Sequence, residues 1–132
     1  DIVYEVQQRN LQNLIFHGLL NQKELVYLFS QIQLHVLTSR DEGFPKVTLE
    51  AASSGVPSLV YSDYGASEWI TNNKDGFIVH TIDEMKSVIK ELQKSPDELL
   101  KVSKSALALG QSFDWRKRIR NWELIIEEIN AK

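Results

Sequence analysis

A chain of 132 residues, 42% hydrophobic and 25% charged, has the size and composition of one soluble globular domain. Its formal net charge of −3 argues against a nucleic-acid binder, which would carry a basic excess. No apolar run approaches the ~18 residues of a membrane span, and no charged-then-apolar leader is visible. With no cysteine, disulfides and thiolate metal sites are excluded, which fits the cytoplasm.

In chain order, residues 2–12 predict a short amphipathic helix on Ile2, Val3, Val6, Gln7 and Leu11. It starts without a cap, so the chain is expected to continue on that side. Leu14 to Gly18 reads as a buried strand ending in glycine. Asn21 suits the N-cap of a helix running to about Ile32, with Leu25, Leu28, Phe29 and Ile32 on one face. Leu34 to Thr38 reads as the next strand and Pro45 to Ser54 as the next helix. Gly55 and Pro57 are the stop signals of that helix. Pro57 to Tyr61 is a third strand, followed by a turn at Gly65 and a short helix over 68–71. Phe77 to His80 is the last strand, after a turn over 72–76. Residues 82–94 have helical periodicity, and Ser95 and Pro96 supply a cap and a first helical residue for another helix. Trp115, Ile119, Trp122, Ile126 and Ile129 form the stripe of a final helix. Strands alternating with helices predict an α/β fold: a doubly wound parallel sheet of about four strands.

The chemistry concentrates between Arg40 and Ala52. Glu42 lies in the strand-to-helix loop, and Pro45 suits the first helical position, where its missing N–H costs nothing. At ~1.5 Å rise per residue, Glu50 stands roughly 7 Å up the axis from Pro45. Between the two carboxylates, the free N–H groups and positive dipole of a helix N-terminus form a phosphate site. A hydroxyl-rich ring, a diphosphate and a second hydroxyl-rich ring would follow that order, and a nucleotide-sugar is such a ligand.

Glu42-Gly43-Phe44, with Glu50 following Glu42 after seven intervening residues, resembles the E-x7-E motif of the group 1 (family 4) retaining glycosyltransferases, whose fold is GT-B. Residues 51–57 (AASSGVP) are similar to that family's E-A-(M/A)-A-x-G-x-P segment after the glutamate, and residues 64–70 (YGASEWI) to its G-G-x-x-E turn. Residues 75–79 (DGFIV) resemble N-G-x-L-V, and residues 113–115 (FDW) resemble F-S-W. Five landmarks in order are far more specific than any one alone.

The resemblance implies a C-terminal donor-binding domain, with transfer of a hexose-type sugar from a nucleoside-diphosphate sugar to a glycan or lipid-linked acceptor. It implies that Glu42 is catalytic, contacting sugar hydroxyls near the transferred carbon, and that Glu50 binds the ribose. Gly43, Phe44, Pro45, Lys46 and Val47 would hold donor sugar and phosphate, although Pro45 replaces the family's usual glycine and offers no N–H. His17, Gly18 and Leu19 would contact the base, and Gly65 and Ala66 are weaker candidates. No cofactor or metal is implied, and the three histidines have no metal-ligand spacing. The location implied is cytoplasmic, or membrane-peripheral in a full-length enzyme.

Aligned on its landmarks, the chain begins ahead of the family's third strand, without the first two strands and without an N-terminal acceptor domain. A truncated sheet, and little or no turnover in isolation, are therefore expected. Strand 14–18 could close the gap by moving beside strand 34–38 through a right-handed crossover. That arrangement would leave one sheet face largely bare and favour self-association.

Bland readings compete at each position: a solvated loop glutamate, a helix-surface glutamate, a helix-end lysine and structural histidines. The pair Glu42/Glu50 does not suit the acid and nucleophile of a hydrolase, which need roughly 5–9 Å across one scissile bond. A non-catalytic nucleotide-binding or interaction module remains the alternative function. A phospho-receiver domain is disfavoured, because the central strand runs into Ser39 and Arg40 rather than an acidic residue.

Overall fold

The computed structural model describes residues 2–131. Three short strands, β1 (His35–Leu37), β2 (Ser58–Tyr61) and β3 (Phe77–Val79), form a parallel sheet in that spatial order. His35 stands opposite Ser58, and Leu59 opposite Phe77. All four residues of β2 are buried, as expected of a central parallel strand covered on both faces.

Side chains alternate across the sheet and so build two cores. Leu59, Tyr61, Phe77 and Val79 pack with Met85, Leu92 and Val102. Met85 and Leu92 come from helix α4 (Ile82–Lys94), and Val102 from helix α5 (Pro96–Ser112). Val60 faces the other way, packing with Ala66, Trp69 and Ile70 beneath Leu37, Leu49, Leu109 and Phe113. Each fully buried side chain of this size contributes about 1.5–3 kcal/mol. Both faces are therefore covered, and the bare face expected from the sequence does not occur.

Helix α1 spans Ile2–Gln8, short of residue 12. Asn10 turns left-handed at φ 50° while Leu11 N–H reaches back to the Val6 carbonyl, a helix stop. Helix α2 (Gln22–Phe29) begins on a complete capping box: Asn21 Oδ1 accepts from Lys23 and Glu24 N–H, and Glu24 Oε2 accepts from Asn21 N–H at 2.8 Å. Helix α2 ends three residues before Ile32, which still packs beside the small core of Phe29, Ala51 and Val56.

Residues 14–18 form no strand, so the sheet has three strands rather than four among the described residues. Leu14, Ile15 and Phe16 are 50%, 80% and 50% exposed. An apolar run becomes a strand only where a neighbour completes its hydrogen-bond ladder. This segment has no such neighbour and does not slide beside β1, whose outer edge stays unpaired.

Helix α3 (Lys46–Ser53) follows β1, with Pro45 at the N-cap rather than inside the first turn. The short helix expected over 68–71 is a 3-10 turn at Ala66–Glu68. Pro96 does open α5, but the Ser95 side chain makes no cap bond. Helix α6 (Trp115–Asn130) has no buried residue, leaving its Trp and Ile stripe exposed. No helix of the described residues is long and apolar enough to cross a membrane.

Candidate functional site

In a parallel sheet every strand points its carboxyl end the same way, and ligands of open α/β sheets bind beyond that edge. Here the edge is Leu37, Tyr61 and Val79, and the loops leaving it are tied together. Arg40 Nη1 donates to Asp63 Oδ2 at 2.7 Å, and Arg40 Cζ lies 3.9 Å from the Tyr61 ring centroid. Ser62 Oγ and His80 Nδ1 are 2.8 Å apart.

The motif loop runs from this edge into α3. Glu42 is half-buried and Gly43 exposed. The Phe44 ring sits 5.0 Å from Trp69 and 6.4 Å from Phe113, centroid to centroid. Pro45 is buried, and its carbonyl accepts from Thr48 Oγ1 at 2.7 Å. The N-cap has no side chain able to cap. The first N–H groups of α3, at Lys46 and Val47, therefore have no intrahelical acceptor and carry the positive end of the dipole.

Lys46 and Glu50, one turn apart on α3, share a groove with Leu49, Ser53, Gly110, Gln111, Phe113 and Asp114. Its volume of about 530 Å³ lies in the range of small-ligand sites. Glu42 stands in the loop ahead of α3, where its charge and that of Asp63 reach the Tyr64 phenol. Burial first, then those two carboxylates, push the phenol pKa up to about 12. The Tyr64 hydroxyl and the Trp69 indole N–H are both buried without hydrogen-bond partners, and the two rings stack at 6.1 Å.

Not every candidate joins this cluster. His17, Gly18 and Leu19 lie on exposed coil between α1 and α2, with Leu19 fully exposed. Gly65 is left-handed at φ 72° and starts the 3-10 turn, where a side chain is disfavoured. Ala66 is fully buried beneath it. His35 is structural: its Nδ1 lies 3.0 Å from Ser58 Oγ, and burial lowers its pKa. Among the described residues no group of three or more His, Asp or Glu converges as a metal site.

Arg40, Tyr64, Trp69 and Gly110 belong to this region but were not picked out by sequence reasoning. Arg40 had a usable signal, a cation two residues before the motif glutamate. Tyr64 and Trp69 are aromatic residues that read equally well as core, and Gly110 lies in an ordinary helical stretch.

Helices packed on a parallel sheet, with an open helix N-terminus at the strands' carboxyl edge, define a Rossmann-like domain. Residues 2–108 match the model of the family described as Glycosyl transferases group 1, and the chain belongs to that family. It is 27% identical over 129 residues to the poly(glycerol-phosphate) alpha-glucosyltransferase of Bacillus subtilis, covering 95% of this chain and 19% of that protein. Among solved structures it superposes on sucrose-phosphate synthase of Thermosynechococcus elongatus with a TM-score of 0.84 at 21% identity. That match covers 99% of this chain and 34% of the synthase. HepE of Anabaena, solved with UDP-glucose, gives a TM-score of 0.74 at 21% identity, covering 99% of this chain and 36% of HepE. The fold is thus that of GT-B glycosyltransferase domains, and the chain spans about a fifth to a third of these proteins' lengths.

Proposed function

We propose that this domain binds the nucleotide-sugar donor of a retaining glycosyltransferase, which moves a hexose-type sugar onto a glycan or lipid-linked acceptor held by a separate domain. The observation that carries the reading is the uncapped N-terminus of α3, with Lys46 and Glu50 lining one groove. Nucleoside-diphosphate phosphates fit the N–H groups of Lys46 and Val47. Ribose hydroxyls would donate to Glu50, and sugar hydroxyls to Glu42. Solved HepE structures hold UDP and UDP-glucose, which supports a uridine donor here as well.

Charge developing on the leaving diphosphate would be stabilised by the fixed helix-terminal dipoles and Lys46, with no resident metal required. His17 to Leu19 would reach the base through their backbone. Calorimetric titration of UDP into wild type and Glu50→Gln tests the ribose assignment. A neutral amide accepts hydroxyl hydrogens less strongly than a carboxylate, so affinity should fall by about 1–3 kcal/mol. Unchanged affinity would remove the assignment and favour the non-catalytic module.

A further inference from the structure

The loop between β1 and α3 is held at two points. Arg40 stands two residues before Glu42, and Phe44 two residues after it. Arg40 Nη1 donates to Asp63 Oδ2 at 2.7 Å, and its Nη2 reaches the His80 carbonyl at 3.4 Å. Its guanidinium also covers Tyr61, with Cζ 3.9 Å from the ring centroid. Phe44 rests on Trp69 at 5.0 Å. Asp63 and Trp69 flank the Gly65 turn, so both posts stand on one segment that leaves β2. Between the posts, among the described residues, no backbone–backbone hydrogen bond holds residues 41–43, and the Asp41 carbonyl accepts only from the nearby Ser39 Oγ, at 3.1 Å.

The ion pair is too exposed to matter much for stability: its side chains are 52% and 38% accessible, and such pairs contribute little. What it does supply is direction. A planar guanidinium held by a carboxylate, a carbonyl and an aromatic face has few alternative placements, and the peptide two residues on inherits that constraint. Nothing comparable would follow from a lysine or a solvated arginine.

We propose that Arg40, through Asp63 and Tyr61, is a positioning residue for Glu42, setting where that carboxylate stands against the donor sugar. This rests on the reading of Glu42 given above. Arg40 does not itself touch the donor, and its effect belongs to turnover rather than nucleotide binding.

The test uses the complete protein with UDP-glucose as donor probe, comparing Arg40→Ala, Asp63→Ala, the exchanged pair Arg40→Asp/Asp63→Arg and Glu42→Ala. Misplacement by about 1 Å can cost on the order of 10²-fold in rate. Each single Arg40 or Asp63 change should therefore lower kcat by roughly that factor, while UDP affinity stays within about twofold. The exchanged pair should recover about tenfold of the loss. Melting curves of all variants should stay close to wild type.

Four results would overturn the proposal. If Arg40→Ala keeps wild-type kcat while Glu42→Ala abolishes it, the positioning role falls and the reading of Glu42 stands. If UDP affinity falls as much as kcat, Arg40 is a phosphate ligand instead. If the exchanged pair recovers nothing, the ion pair is not what holds the loop. A wild-type kcat in Glu42→Ala would remove the underlying reading, and with it the proposal.

Discussion

Gly110 of α5 and Ser53 of α3 meet backbone against backbone: a Cβ at Gly110 would lie 2.5 Å from Ser53 N and 2.6 Å from its Cα. That contact seats the helix carrying Glu50 and forms one end of its groove.

Gly110→Ala should therefore destabilise the domain. Alanine in a helix gains about 1 kcal/mol over glycine, but a methyl pressed into backbone costs about 1–3 kcal/mol. Backbone cannot swing aside as a side chain can, so the upper part of that range applies. The expected net loss is about 1–2 kcal/mol by chemical denaturation, with weaker UDP binding because α3 shifts. A gain in stability would show that the two helices separate freely.

Glu42→Ala in the complete protein should cut turnover by on the order of 10²-fold or more, with UDP affinity nearly unchanged. Its proposed contacts are to the sugar, near developing charge, and not to the nucleotide. Steady-state kinetics with parallel UDP titrations checks this. Collapse of UDP binding with normal turnover per bound donor would assign Glu42 another role.

His35 gives a pH dependence. Burial lowers its folded pKa below the ordinary 6.5, so the unfolded chain binds this proton more readily. The contribution is fully present above pH 6.5 and is lost as pH falls toward the folded value. Urea midpoints measured from pH 7 down to about 5 should drop more steeply for wild type than for His35→Asn. Equal slopes would mean that His35 titrates freely.

Self-association is expected of the 132-residue chain, although not through a bare sheet face. Leu14, Ile15, Phe16 and Leu19 are exposed, as are Trp115, Trp122, Ile126 and Ile129 on α6, and the outer edge of β1 is unpaired. Together these exceed what a monomer commonly leaves open. Light scattering at about 50 µM should report dimers or larger species. A clean monomer would contradict this.

Much of the architecture could be read from local signals. Asn21, Pro96, and the glycine at 55 mark helix ends whose physics lies within a few residues, and β2 is an apolar run bounded by proline and a turn. The start of α3 was legible because proline marks it, although Pro45 sits at the N-cap rather than at the first helical position. Strand 14–18 failed for the opposite reason: pairing depends on a distant neighbour, which apolarity in Leu14 to Phe16 does not reveal. The contacts of Arg40 with Asp63 and His80 span 23 and 40 residues, and the fit of Gly110 on Ser53 spans more than fifty. None of these distances leaves a periodic trace in the sequence.

The most direct test of the central claim, that donor phosphate and sugar dock on the α3 N-terminus between the two glutamates, is backbone-amide NMR during titration. UDP should shift the Lys46 and Val47 amides, and UDP-glucose should in addition shift Gly43 and Phe44. If both ligands bind yet leave these four amides unmoved, the donor site lies elsewhere on the domain.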